Sequence, residues 1–151
     1  MLWLPVAIGI GSFLLDRLTK FSIQANMQIR QSIPIIKNIF HITFQTNNGA
    51  AMSLFSGKVP FLICATILIV AVLIAYIIVK KPKSKIFNIA VSLILSGAIG
   101  NLVDRITMGY VIDFLDMRFI NFPIFNVADI CVVIGAALFC IYIFKSTEEN
   151  L

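Results

Sequence analysis

Hydrophobic positions along this chain fall into four long runs separated by polar breaks. Val59 to Val79 is 21 residues without a charge, and Ile86 to Val103 is another uncharged stretch of 18. An α-helix rises about 1.5 Å per residue, so about 20 apolar residues cross a hydrocarbon core of roughly 30 Å. Two further runs are less clean. Leu2 to Leu15 is apolar but then meets Asp16, Arg17 and Lys20, and Ile130 to Phe144 is preceded by Asp129. Each becomes long enough if its polar end lies in the membrane interface. The pattern predicts spans near residues 2–20, 59–79, 86–104 and 128–145, in a single membrane-embedded unit over residues 1–151. The first run lacks a basic segment before it and a small-residue cleavage site after it, so it reads as a retained helix rather than a signal peptide.

The links between runs differ in kind. Phe21 to Lys58 is about 38 residues, long for a connection without structure of its own. Within it Phe40, Ile42 and Phe44 alternate with His41, Thr43 and Gln45, a period of two that predicts a half-buried strand. Ile33-Pro34-Ile35-Ile36 supplies a partner strand, with Lys37-Asn38 as the turn, and Gly49-Ala50-Ala51 ends the sheet. A second connection runs from about Asp104 to Asn126 and contains Gly109 and Pro123. The expected fold class is an α-helical integral membrane protein, with four transmembrane helices and a small extracytoplasmic β-sheet between helices 1 and 2.

Composition agrees with this picture. The chain is 60% hydrophobic and 13% charged, too apolar for a soluble domain of this size. Its net charge is +5, from twelve basic and seven acidic residues. Lys80, Lys81, Lys83 and Lys85 crowd between the second and third runs, which marks the cytoplasmic side and suits anionic lipid headgroups. With four spans, both termini are then cytoplasmic. Arg30, Lys37 and Lys58 on the outer side weaken that bias without reversing it. No basic patch with interleaved aromatics speaks for nucleic acid. Cys64, Cys131 and Cys140 match no zinc spacing and read as buried small hydrophobes.

The acids carry the candidate chemistry. Apart from Glu148 and Glu149, the only acids are Asp16, Asp104, Asp113, Asp116 and Asp129. A charge in the middle of a span costs roughly 2.5–3.5 kcal/mol or more and is seldom kept without a use. With helix 1 running outward, helix 3 outward and helix 4 inward, all five gather near the outer face. Among nucleophile options, the single histidine, His41, has no flanking motif, and no zinc-protease helix is present. A serine–lysine pair would have to combine Lys20 with Ser12, Ser22, Ser53 or Ser56. Paired aspartates can share a proton, one activating water and the other hydrogen-bonding the scissile carbonyl, without metal or cofactor. The same residues also admit a plain ion-pair reading: Asp16 with Lys20, four apart on one helix face, Asp104 with Arg105 or as a helix-end group, and Asp116 with Arg118 in solvent.

Five segments resemble the lipoprotein signal peptidase (signal peptidase II) family. They are Asp16-Arg17-Leu18-Thr19-Lys20, Asn47-Asn48-Gly49-Ala50-Ala51, Gly97-Ala98-Ile99-Gly100-Asn101-Leu102-Val103-Asp104-Arg105, Val111-Ile112-Asp113-Phe114 and Phe125-Asn126-Val127-Ala128-Asp129. They stand in the family's order and spacing over nearly the whole chain. The resemblance implies a bacterial plasma-membrane aspartyl endopeptidase that cleaves prolipoproteins before a diacylglyceryl-modified cysteine, with its site at the outer leaflet. It implies Asp113 and Asp129 as the catalytic pair. Asn47, Asn101, Arg105 and Asn126 would bind substrate, and Asp16, Lys20, Gly49, Asp104 and Ala128 would support them. It also implies membrane lipids and globomycin-type inhibitors as partners. Arg17, Met52, Ser96 and Ile130 depart from the common pattern, where glutamine, phenylalanine, glycine and serine are frequent. Two other classes compete: an ion or proton transporter, which lacks acids in the inner half to form a relay, and a non-enzymatic assembly factor.

Overall fold

The computed structural model describes residues 3–50, 52, 54–120 and 122–148. Among the described residues, four helices and three strands follow in the order α1 (Trp3–Asn26), β1 (Ser32–Ile36), β2 (Phe40–Asn47), α2 (Val59–Lys80), α3 (Lys85–Met108), β3 (Val111–Met117) and α4 (Val127–Glu148). Each helix extends past the apolar run that announced it. α1 does so most, adding Phe21–Asn26 from what reads in sequence as loop.

Helix ends follow local chemistry. α2 opens with Pro60 in its first turn, where a missing N–H costs nothing, and closes on Lys81, left-handed at φ 45°. Pro82 prevents the helix from continuing. Ser84 then caps α3 by accepting the Phe87 N–H at 3.3 Å, and Gly109, at φ 79°, ends it. α2 and α3 therefore form a tight hairpin across the lysine cluster.

α3 is the central helix and touches the other three. Its approach to α4 is close because side chains are missing there. A Cβ on Gly97 would lie 2.3 Å from the Ala128 carbonyl oxygen, and one on Gly135 would lie 2.7 Å from the Ala90 oxygen. Gly135 on α4 thus allows the same close approach as Gly97 on α3. α2 is peripheral, with only Leu62 buried among its apolar residues. Among the described residues, three helices are long and apolar enough to cross a membrane: Val59–Lys80, Lys85–Met108 and Val127–Ser146. α1, at 24 residues, carries Asp16, Arg17 and Lys20 and does not join that group.

The sheet is antiparallel in the order β1-β2-β3. The two strands expected between the first two helices are present, but the sheet is larger than expected. Its third strand, β3, comes from the connection between α3 and α4. The strict alternation expected for β2 also breaks. Ile42 pairs with Leu115 and Gln45 with Asp113, so three steps on β2 match two on β3. The extra residue makes a bulge, and the neighbours Thr43 and Phe44 are both buried. Phe44, Ile112 and Phe114 form a core under the sheet, against Ile23 of α1, Met27 just past its end, Met108 of α3 and Val127 of α4. β1 is exposed along its whole length, an edge position that tolerates Pro34.

Of the three cysteines expected to be buried, only Cys131 is. Cys64 and Cys140 lie on outward faces of α2 and α4, among the exposed apolar residues of those helices.

Candidate active site

Two carboxylates from different elements meet at one asparagine. Asp129 stands in the first turn of α4, and Asn126 caps that helix. The Asn126 side-chain oxygen accepts the Asp129 N–H at 2.9 Å, while Asp129 accepts the Asn126 N–H at 3.1 Å. This reciprocal pair is a capping box built from Asn-x-x-Asp. Because the Asn126 oxygen is taken by a backbone donor, its NH2 must face the other way. It donates to Asp113 Oδ1 at 2.7 Å and to Asn101 Oδ1 at 3.2 Å.

The other two asparagines are oriented in the same manner. Asn47, at the end of β2, accepts the Gly49 N–H at 2.9 Å and donates to Asp113 Oδ2 at 3.0 Å. Asn101 accepts from the Lys20 ammonium at 2.8 Å, a group that can only donate, and so presents its NH2 to Asp129 Oδ1 at 2.8 Å. Every oxygen of the two carboxylates thus receives one donor from the protein. The β2 bulge matters here, since it sets the register in which Gln45 faces Asp113 and Asn47 faces Val111.

Behind this pair lies a buried ionic cluster. The Lys20 ammonium, 0% exposed, forms ion pairs with Asp16 Oδ2 at 3.0 Å and Asp104 Oδ2 at 2.8 Å and donates to Asn101. Asp16 also accepts the Ala128 N–H at 3.0 Å, satisfying another free amide at the start of α4. Gly100 makes room for this contact, since a Cβ there would lie 2.7 Å from Asp16 Oδ2. Ala128 is fully buried beside it. Asp104 pairs with Arg17 as well as Lys20, and accepts the Ile112 N–H at 3.4 Å. The expected Asp104–Arg105 pairing is therefore replaced by partners on α1, which packs against that face of α3. Arg105 instead reaches across to donate to the Gly49 carbonyl at 2.9 Å. A serine–lysine pair has no support here, because the sealed Lys20 ammonium lies among Asp16, Asp104 and Asn101. Ser53, like Ala51 and Glu149, lies outside the described residues.

The two carboxylates line a cavity of about 690 Å³. Asn47, Asn101 and Arg105 reach it on the polar side, while Met52, Phe122, Ile130 and Val133 are among its apolar walls. Asp113 is 2% exposed. Burial, then the neighbouring Asp129 charge, pushes its carboxyl up to about 7, against the pull of the bonds from Asn47 and Asn126 and the charge of Lys20. Asp113 thus holds its proton closer to neutrality than an ordinary carboxyl does.

Four positions that depart from the common pattern have definite places. Arg17 joins the ionic cluster, Met52 and Ile130 line the cavity, and buried Ser96 returns its hydroxyl to the Leu93 carbonyl at 2.9 Å. Asp116 sits apart from the cavity. It accepts from Thr43 at 2.6 Å and Arg118 at 3.0 Å, beside Ser32 and His41, and is buried rather than solvated. What sequence reasoning missed was the pairing of Arg17 with Asp104, 87 residues away, and the Arg105 bond to Gly49. No local spacing signals either contact.

The family described as Signal peptidase (SPase) II matches residues 8–145. A lipoprotein signal peptidase of Clostridium acetobutylicum is 46% identical over 150 residues, covering 97% of this chain and 96% of its own. One from Halothermothrix orenii is 41% identical, with 98% of both chains covered. Among solved structures, a bacterial membrane enzyme determined by the in meso method at 2.3 Å superposes with a TM-score of 0.91 at 35% identity, over 97% of this chain and 91% of the other. A match that spans nearly the whole sequence, at this identity and with the same fold, places the chain in the signal peptidase II family, whose relatives named here are lipoprotein signal peptidases.

Proposed function

We propose that the chain is an aspartyl endopeptidase of the membrane, in which Asp113 and Asp129 cut a prolipoprotein signal peptide just before a diacylglyceryl-modified cysteine. The observation that carries this reading is the meeting of buried Asp113 and half-buried Asp129 on Asn126, at the wall of a largely apolar cavity, with the Asp113 carboxyl pushed up to about 7.

The chemistry follows from that arrangement. Asp129, at the positive end of the α4 dipole, takes a proton from a water molecule. The protonated Asp113 carboxyl hydrogen-bonds the scissile carbonyl oxygen and stabilises the charge that develops there. The water oxygen attacks the carbonyl carbon. The C–N bond then breaks as the leaving nitrogen takes a proton from the pair. Arg105, fixed on Gly49, and the oriented asparagines hold the peptide backbone. Met52, Phe122, Ile130 and Val133 offer an apolar wall along which acyl chains lie, so binding energy from the lipid positions the peptide bond.

The topology supports the same reading. α1 would be the fourth span, about 36 Å long at 24 residues, with its ionic cluster at the outer end. The lysine cluster between α2 and α3 then faces the cytoplasm together with both termini, and the sheet and cavity face the outer leaflet of a bacterial plasma membrane. A globomycin-type inhibitor would occupy the cavity.

The test is digestion of a lipid-modified precursor peptide and of the same peptide with unmodified cysteine, by the purified chain in lipid. Mass spectrometry should find a single product beginning at the modified cysteine, with little cutting of the unmodified peptide. Equal cutting of both, or cutting elsewhere, overturns the substrate assignment.

A further inference from the structure

In the ionic cluster behind the two carboxylates, Arg17 is the member to which the family resemblance gives no role. Arg17 lies on α1, one residue past Asp16, and its guanidinium pairs with Asp104 Oδ1 and reaches the Gly100 carbonyl at 3.4 Å. It is the only part of the cluster with substantial exposure, at 29% of its side chain, while Lys20 and Asp104 are sealed.

Asp104 is a branch point. Through its Oδ2 it holds Lys20, which holds Asn101, which donates to Asp129. The same oxygen accepts the N–H of Ile112, the residue before Asp113. One carboxylate therefore positions the supports of both site aspartates, one through side chains and one through backbone. With Arg17 present, the cluster holds two anions, Asp16 and Asp104, and two cations, Arg17 and Lys20. Lys20 alone would set one positive charge against the two acids. Buried charge that is left unbalanced is strongly unfavourable and acts on every neighbouring titration.

We propose that Arg17 is a positioning residue of the cleavage reaction: by fixing and neutralising Asp104 it keeps the Lys20–Asn101–Asp129 chain and the β3 backbone beside Asp113 in place. The proposal rests on the reading of Asp113 and Asp129 as the reacting pair. The charged groups facing that pair are Asp16, Arg17 and Lys20 from α1, with Asp104 and Arg105 from α3. β2 contributes the neutral Asn47. His41, Asp116 and Arg118 belong to the separate cluster on the sheet.

Removing the Arg17 charge leaves the cluster with one net negative charge, which makes the pair hold its protons more tightly. A unit charge at roughly 10 Å in a partly hydrated site moves a titration by about half a unit to one unit. The experiment is the pH dependence of kcat/KM for wild type, Arg17→Gln, Arg17→Lys, Asp104→Asn and the double variant Arg17→Gln/Asp104→Asn, on a lipid-modified precursor peptide. Arg17→Gln should move both limbs of the profile to higher pH by about half a unit. Arg17→Lys should keep the wild-type profile. Asp104→Asn, which leaves a net positive charge, should move it to lower pH, and the double variant should return it. If Arg17→Gln overlays wild type in its pH dependence, whatever its rate, the proposal falls and Arg17 is a structural tie. If Arg17→Gln is not recovered folded, Asp104→Asn decides: a downward shift upholds the proposal and an unshifted profile overturns it. A wild-type profile with no dependence on Asp113 overturns the aspartate pair itself, and this proposal with it, and is recognised by retained cleavage in Asp113→Asn.

Discussion

Asn126 and Asp129 cap each other at the start of α4, and the amide left over from that exchange binds Asp113 at 2.7 Å. The helix start and the site are thus one structure. Asn126→Ser keeps an oxygen for the Asp129 N–H but loses the donor to Asp113. It should leave thermal stability near wild type and lower kcat/KM by about tenfold to a hundredfold. Asn126→Ala loses both, with a further cost of about 1 kcal/mol. Parallel melting curves and rate measurements on the two variants separate the cap from the chemistry.

Asp113 makes stability fall as pH rises. In the unfolded chain its carboxyl ionises near its ordinary value of 3.8, whereas in the folded protein it keeps its proton to about 7. Between those values the folded state binds more protons, so raising the pH favours unfolding. The melting temperature in detergent should decline from about pH 4 to pH 7, and Asp113→Asn should remove much of that slope. Asp116 behaves oppositely. Burial raises its carboxyl, but the bonds from Thr43 and Arg118 outweigh it and hold the group below its usual range. Its contribution is present above the ordinary carboxylate value and is lost as pH falls through its lowered one. Asp116→Asn should therefore alter acid sensitivity and leave the neutral-pH rate unchanged.

Lys20 is sealed between Asp16, Asp104 and Asn101. Lys20→Met has similar length but strands two buried acids with one exposed cation. The expected cost is about 3–5 kcal/mol, with loss of cleavage because Asn101 is released. Lys20→Met that melts and cuts like wild type would show the cluster to be slack.

Close helix approach predicts a graded glycine series. Gly97→Ala would drive a methyl group to within 2.3 Å of the Ala128 carbonyl, next to Asp129. It should cost about 1–3 kcal/mol and impair activity by displacing the start of α4. Gly11→Ala, with nothing within 4 Å of its Cβ, should melt at or above the wild-type temperature. Thermal melts of the two variants in the same detergent check the contrast.

The local features of this fold were legible in the sequence, and the long-range ones were not. Uncharged runs marked α2 and α3, and the alternation of Phe40 to Gln45 marked β2. The Asp16–Lys20 pair, four residues apart, followed from helical spacing. β3 escaped because Val111-Ile112-Asp113-Phe114 is nearly continuous in burial and lies between helices, so it shows no period of two. The β2 bulge, which leaves Thr43 and Phe44 both buried, is likewise invisible to a pattern rule. Residue types pointed to an aspartate pair among five acids and the family resemblance to Asp113 and Asp129, but their common dependence on Asn126 arises only when β3 is laid beside the start of α4. The Arg17–Asp104 pair exists because α1 packs on α3, a contact no spacing encodes.

The central claim is that Asp113 and Asp129 together perform the cleavage. Its most direct test is single-turnover cutting of a lipid-modified precursor peptide by Asp113→Asn and Asp129→Asn, each shown to be folded by its melt. Both substitutions keep size and remove the titrating group. The account predicts that each lowers the rate by at least about a hundredfold while the precursor still binds. Near wild-type cutting by either variant would contradict it, and would make that aspartate a structural group.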